Sequence, residues 1–184
     1  MRVLSLVLIL APIGTLCGLA QRISSKPAPR FEDYPVKEVF TGAPAAPILA
    51  TAEEQMYRTR IRNGVARGSD VWIGSYKNPI KAKGPNFAGH YFVVRWGCGS
   101  QCLMMATIDA KTGEIYEPPL AEKGSLSVPL DNLSEMETDL RPDSSLLVLR
   151  NACRDFTDRK TCGTYYFNWK DNRFDLVRFD PPQE

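Results

Sequence analysis

Apolar residues recur at helical spacing in one segment of the chain, residues 51–67. Side chains four positions apart form a single stripe on a helix, and here they are Tyr57, Ile61 and Val65. The segment opens with a threonine that is followed three positions later by Glu54, the pattern of a capping box. We therefore predict one N-terminal amphipathic helix over these residues, ending at Gly64 or Gly68.

Beyond residue 89 the apolar positions change to a period of two, which is typical of strands. The segments with strand character are 90–97, 103–110, 145–150, 164–169 and 174–179. Residues 170–173 read Lys-Asp-Asn-Arg and predict a hairpin turn between the last two segments. Closely spaced strands with hairpin turns predict an antiparallel β-meander sheet with the helix packed on one face. We expect an α+β fold in which residues 51–182 form a single domain.

The N-terminus has the pattern of a secretory signal peptide. Arg2 precedes a short apolar run, and small residues stand just before Gln21. We predict cleavage after Ala20, which makes residues 1–20 the signal peptide and leaves no stable membrane anchor in the mature chain. A lipoprotein with a lipidated Cys17 is the alternative, but the bulky leucine before that cysteine disfavours it. The expected location is the periplasm or the outside of the cell.

Residues 21–50 are rich in proline, which disrupts both regular helices and sheet pairing. We predict a leader in the first part of this segment and an extended strap across the body of the domain in the rest. The side chains that can fix the strap to the body are Phe31, Tyr34, Val36, Val39 and Phe40.

Composition narrows the classes of function. The chain has 184 residues, of which 43% are hydrophobic and 24% are charged, and its formal net charge is +2. These values are typical of a globular domain with a conventional core. So balanced a charge gives no basic surface for nucleic acid, and we expect no nucleic-acid partner.

Removal of the signal peptide leaves four cysteines, which are Cys98, Cys102, Cys153 and Cys162. An even number of cysteines in an exported chain predicts two disulfides, although four cysteines allow three pairings. The pairing of each cysteine with its sequence neighbour is favoured because each such pair brackets a short loop. With the cysteines oxidised and a single histidine, we expect no metal site and no cofactor.

Residues 84–102 hold the densest group of residues with chemical potential, including the single histidine, two cysteines and several glycines. The candidate binding residues are Phe87, His90, Arg95 and Trp96, which offer charge, aromatic surface and a polar contact. No arrangement of carboxylates, hydroxyls or thiols in the sequence predicts catalytic residues.

Three stretches of the chain resemble a family of uncharacterised exported bacterial proteins. They are Asn-Phe-Ala-Gly-His-Tyr at residues 86–91, Trp-Gly-Cys-Gly at residues 96–99 with Cys102, and Ile-Asp-Ala-Lys-Thr-Gly at residues 108–113. The resemblance implies secretion and a compact domain, and it implies no activity. Cys153 and Cys162 lie outside the pattern of that family.

The favoured function is a non-catalytic, disulfide-stabilised module that binds a protein or a small molecule in the envelope or outside the cell. The alternative is a small envelope thiol redox factor or hydrolase that uses Cys98 and Cys102 with His90. Eight positions along one strand separate His90 from Cys98. An extended strand rises about 3.3 Å per residue, which keeps these two groups more than roughly 20 Å apart and argues against their cooperation. A structural or assembly role is a third alternative.

Overall fold

The computed structural model describes residues 26–68, 84–99, 102–129, 136–155 and 157–182. The predicted signal peptide over residues 1–20 lies outside these ranges. Within them, no helix is both long and apolar enough to span a bilayer. The described residues form short helices and antiparallel sheets, so the expected α+β class is confirmed.

The segment predicted as one helix folds as two, α1 (Ala52–Met56) and α2 (Arg58–Arg67). Tyr57 separates them, because its φ of −97° and ψ of 14° lie outside the helical region. The predicted capping box is confirmed. The Glu54 amide donates to Thr51 Oγ1 at 3.1 Å, and the Thr51 amide donates to the Glu54 carboxylate at 2.8 Å.

The C-terminal end of α2 is set by Gly68, whose φ of 64° is the left-handed conformation in which helices commonly end. Gly64, the other expected end, lies inside the helix and faces the first sheet. The apolar stripe of α2 rests on this sheet, with Ile61 and Val65 buried beside Val94.

The first sheet contains four antiparallel strands, which are β1 (Tyr91–Gly99), β2 (Cys102–Asp109), β3 (Ile115–Tyr116) and β4 (Ser127–Val128). β1 pairs along β2, while β3 and β4 pair with opposite ends of β2. At the free edge of β1, the Asn86 side chain donates to the Val93 carbonyl at 3.0 Å and accepts from the Val93 amide at 2.8 Å. Asn86 therefore takes the place of a neighbouring strand at this position.

The second sheet contains β5 (Glu137–Asp139), β6 (Leu146–Cys153), β7 (Cys162–Lys170) and β8 (Arg173–Asp180), paired in sequence order. The predicted hairpin between β7 and β8 is confirmed. Its turn is formed by Asp171 and Asn172, whose φ angles of 51° and 59° match the twist of a tight hairpin.

The strands thus form two sheets, not the single meander sheet that the sequence predicts. A single sheet of all eight strands would leave much of its apolar surface in water, because the helical segment is too short to cover it. Two sheets that face each other bury both inner surfaces, which explains the observed arrangement.

Alternate residues of the first sheet point into two different cores. Val93 and Met105 face the second sheet and are buried with Leu149 and Phe167. Their even-numbered neighbours point the other way and are buried under α2. The molecule is therefore layered, with the helices outside the first sheet and the second sheet on its other side.

Residues 31–49 run across the outside of these layers. Phe31 and Tyr34 pack on the outer face of the second sheet, and Phe40 packs in the core under α2. Between these points the backbone is tied to loops of the sheets, since the Phe40 amide donates to the Gly89 carbonyl at 2.8 Å. The segment predicted as a strap therefore connects the two outer faces of the molecule.

Candidate functional site

The structure does not bring the four candidate binding residues together at the surface. Phe87 and Trp96 are both 0% exposed. Phe87 is buried between the two sheets, whereas Trp96 is buried on the other face of β1, under the helices. Neither residue presents aromatic surface to a partner, because Trp96 points from β1 into the core under the helices and Phe87, in the turn before β1, fills the core between the sheets. The exposed aromatic surface expected at Phe87 and Trp96 is therefore not observed.

Arg95 and His90 also lie apart from each other. Arg95 stands in the middle of β1 and donates a hydrogen bond to the hydroxyl of Thr138, which links the first sheet to β5. His90 precedes β1 and is partly exposed. Arg95 therefore contributes to the contact between the sheets, and like His90 it is partly exposed.

His90 lies beside a buried carboxylate. Its Nε2 atom is 3.7 Å from Oδ2 of Asp109, and its ring lies 4.2 Å from that of Tyr91. Burial lowers the pKa of His90; the charge of Asp109 opposes this shift and that of Lys111 reinforces it. Asp109 Oδ1 is already occupied, because it accepts from the Lys111 amide at 2.6 Å. The pair is a partly buried polar contact that fixes the turn after β2.

A cluster of aromatic side chains packs around Tyr91, the neighbour of His90. The ring of Tyr91 lies 5.0 Å from that of Trp169, and its hydroxyl donates to Asn172 at 2.9 Å. Tyr116 packs on the same tryptophan and donates to Glu114 at 2.6 Å. Burial raises the pKa of both tyrosines, so their hydroxyls stay protonated at neutral pH. These contacts join the β7–β8 hairpin to the start of β1.

The cysteines lie at the opposite end of the strands. Cys153 and Cys162 form a disulfide, which confirms the predicted pairing of these two residues. Cys98 is also disulfide-bonded, and its pairing with Cys102 stays a prediction because the side chain of Cys102 lies outside the described residues. Cys162 begins β7, whereas the end of β7 meets the group around His90. The geometry therefore gives no support to a thiol and imidazole acting together.

A groove that the sequence analysis missed lies between residues 26–34 and β8. Its volume is about 730 Å³, within the range of roughly 300–1,000 Å³ that is usual for small-ligand sites. Its walls carry both apolar and charged side chains. The lining residues are Lys26, Pro27, Ala28, Pro29, Arg30, Asp33, Tyr34, Val177, Arg178, Phe179 and Asp180.

Ion pairs hold the charged side chains of the groove in place. Arg30 lies 3.1 Å from Asp33, and Arg178 lies 2.6 Å from Asp180. The hydrogen bond with Arg30 lowers the pKa of Asp33, so this carboxylate is charged at neutral pH. Arg178 also donates to the Pro27 carbonyl at 3.2 Å, which fixes the leader against β8.

The signal that could have revealed the groove is weak. Pro27 and Pro29 favour an extended stretch between Lys26 and Arg30, and β8 carries charged residues at positions 173, 175, 178 and 180. Nothing in the sequence indicates that these two segments, about 150 positions apart, meet in space. The side chain that joins them is that of Arg178, and sequence patterns do not distinguish this arginine from ordinary surface residues.

Among the described residues, no group of three or more histidine, cysteine, aspartate or glutamate side chains is arranged to hold a metal ion. Comparison with known proteins also gives no assignment: no protein-family model, no curated protein and no solved structure matches the chain.

Proposed function

We propose that this chain is an exported, disulfide-stabilised binding module without a catalytic centre, and that it binds a small amphipathic anion in the groove between residues 26–34 and β8. The observation that carries the proposal is the groove, a ligand-sized concave surface with apolar walls and an excess of cationic side chains.

The apolar part of the groove suits a ring or a short hydrocarbon chain. Pro27 and Pro29 form one wall, and Val177 of β8 lies on the other side. Val177 is 42% exposed, which is unusual for a valine in a strand. An apolar ligand group that covers this wall removes its surface from water, at roughly 25 cal/mol for each Å² buried.

The charged part of the groove favours an anion. Two carboxylates line the groove, and each is paired with an arginine. Lys26 is a third cation and makes no ion pair with a described residue. The groove therefore has an excess positive charge at the end where Lys26 lies, which attracts the anionic group of a ligand.

Export is part of the same proposal. The disulfide between Cys153 and Cys162 is typical of oxidising compartments, which supports a periplasmic or secreted protein after cleavage of residues 1–20. We also propose that the chain is related to the family of exported bacterial proteins. The support for this is the three stretches of sequence that resemble that family. The distance between His90 and the cysteines supports a binding role over thiol catalysis.

Titration with anilinonaphthalene sulfonate tests the proposed ligand class, because this dye combines aromatic rings with a sulfonate and fluoresces when it leaves water. We expect saturable binding to the oxidised protein. Lys26→Glu should raise the dissociation constant about fivefold or more, since attraction becomes repulsion. Lys37→Glu is the matched control, because Lys37 is an exposed residue of the strap outside the groove.

The control variant should bind the dye as the unmodified protein does. Binding that does not saturate, or equal weakening by both charge reversals, would show that the groove does not take this class of ligand. The location is tested separately by intact mass after expression in a bacterial host. A mature chain that begins at Gln21 in the periplasmic fraction or medium supports export, and an uncleaved chain in the cytoplasm contradicts it.

A further inference from the structure

β8 leaves one edge of the second sheet open. Within the described residues β8 pairs with β7 alone, and no main-chain hydrogen bond joins it to the leader. Leu176 and Val177, at its centre, are 45% and 42% exposed. Edge strands are usually short or covered, because open edges invite pairing with another chain. The opposite edge follows this rule, since β5 has three residues, whereas β8 has eight.

The sequence of β8 is complementary to itself when read in the opposite direction. The strand reads Arg-Phe-Asp-Leu-Val-Arg-Phe-Asp. If two copies pair antiparallel about the midpoint of the strand, Arg173 lies opposite Asp180 of the second copy and Asp175 lies opposite Arg178. The apolar residues also meet, because the two phenylalanines face each other and Leu176 faces Val177. Every charged residue of the strand therefore meets an opposite charge.

A bulge in β8 makes this pairing possible on both faces. Residues directly opposite each other in a sheet must point to the same side. In a regular strand, residues 174 and 179 would point to opposite sides. The register shift at Tyr166 and Phe167 of β7 adds one residue to β8, so that Phe174 and Phe179 both pack toward the inner core. Pairing about the midpoint then sets inner residues against inner residues and charged residues against charged residues.

We propose that β8 is the interface between two copies of this chain, which pair antiparallel through it to form one continuous eight-stranded sheet across a two-fold axis. Main-chain hydrogen bonds along the strand and burial of Leu176 and Val177 provide the affinity. The exposed ion pairs add little energy and instead fix the register, because a shifted pairing sets like charges opposite each other. A two-fold arrangement uses the same surface on both copies.

The leader lies close to this edge but does not occupy it. Pro27 and Pro29 have no amide hydrogen to give to an edge strand. Arg178 is held by Asp180 and by the Pro27 carbonyl, on the outer face of the sheet. In the dimer, Asp175 of the second copy approaches the same guanidinium, whose Nη2 atom makes no hydrogen bond to a described residue. Val177 and Arg178 also line the groove, so a ligand in the groove and a second copy at the edge share this part of β8.

Sedimentation velocity of the oxidised protein over a range of concentrations tests the dimer. We expect a reversible monomer–dimer equilibrium. Asp175→Arg should raise the dimer dissociation constant by at least about tenfold, because it sets two arginines opposite each other at two symmetric positions. The double variant Asp175→Arg with Arg178→Asp exchanges the charges and should restore dimerisation. Glu137→Arg makes the same type of change on the opposite edge strand and should leave the equilibrium unchanged.

Hydrogen exchange identifies the surface independently of the variants. Amides of β8 should exchange more slowly as the protein concentration rises, while those of β5 should not change. A protein that stays monomeric at every concentration overturns the proposal. A dimer that is insensitive to Asp175→Arg, or one that the charge exchange fails to restore, overturns it as well. Asp175 does not line the groove, so dye titration of Asp175→Arg tests the groove apart from the dimer, and the two proposals fail separately.

Discussion

A Cβ atom placed on Gly64 of α2 would lie 2.0 Å from Cγ1 of Val94 on β1. This distance is far below van der Waals contact, so the helix and the strand meet where only a glycine fits. The contact explains why a glycine stands inside α2, although it costs about 1 kcal/mol relative to alanine in a helix. The close approach allows Ile61 and Val65 to be buried against the first sheet.

Gly64→Ala should therefore lower the free energy of unfolding by about 1–3 kcal/mol, because overcrowding outweighs the gain in helix propensity. Urea denaturation measures the change. Asn63→Ala is the matched control, since Asn63 lies on the exposed face of the same helix and should be neutral or slightly stabilising. If Gly64→Ala is as stable as the control variant, the helix does not lie this close to Val94.

Alanine substitutions at two glycines with similar φ angles distinguish the cost of backbone strain from the cost of steric crowding. Gly113 and Gly124 have φ angles of 82° and 84°. A Cβ on Gly113 would lie 2.2 Å from the Ala46 carbonyl of the strap, whereas nothing lies within 4 Å of one on Gly124. Gly124→Ala should cost only the strain of a left-handed residue, about 1–2 kcal/mol. Gly113→Ala should cost more, because it also pushes the strap away.

Limited proteolysis measures this second effect of Gly113→Ala directly. Cleavage within residues 41–50 should become faster in Gly113→Ala and stay unchanged in Gly124→Ala, since the latter does not touch the strap. Equal loss of stability in the two variants, with no change in cleavage, would mean that the strap is not held at this loop.

The elements that local patterns encode could be predicted from the sequence. The capping box at Thr51 and the hairpin at Asp171 depend on residues three or fewer positions apart, and both are confirmed. The division into two sheets could not be predicted, because it depends on which strands face each other across the core. Gly64 shows the same limit: its neighbours along the chain indicate a helix end, but its contact with Val94 keeps it inside the helix.

The candidate site was harder to predict for a related reason. Alternation along β1 predicts a strand, but it does not say that both faces of the strand are covered. Phe87 and Trp96 are fully buried because the helices cover one face and the second sheet covers the other. The groove is formed by Lys26 and Arg178, which are distant in sequence and meet only after the strap and the second sheet have folded.

Asn86 offers a test of a side chain that replaces a strand. Its amide group donates to the Val93 carbonyl and its oxygen accepts from the Val93 amide. Asn86→Asp removes the donor and should lower the free energy of unfolding by about 1–3 kcal/mol, because it leaves a carbonyl beside a carboxylate. Thermal unfolding of the variant measures the loss. Asn63→Asp, at an exposed position, is the control and should change stability by less than about 0.5 kcal/mol.

The contact between His90 and Asp109 predicts the pH dependence of stability. Because burial lowers the pKa of His90 in the folded protein, the unfolded chain binds the proton more readily. The contribution of neutral His90 to the free energy of unfolding is therefore fully present above pH 6.5, the ordinary pKa of histidine. This contribution is lost as the pH falls below that value. Since His90 is the single histidine of the chain, urea denaturation should show this slope for the unmodified protein and not for His90→Gln.

The same titration distinguishes the causes of the shift when it is followed by proton NMR of the His90 ring. Asp109→Asn removes an attraction for the protonated ring and should lower the pKa of His90 further. Lys111→Gln removes a repulsion and should raise it. Both variants keep the turn after β2, because an asparagine side chain still accepts from the amide of residue 111. Shifts in the same direction in both variants would mean that charge does not act on His90 as the geometry requires.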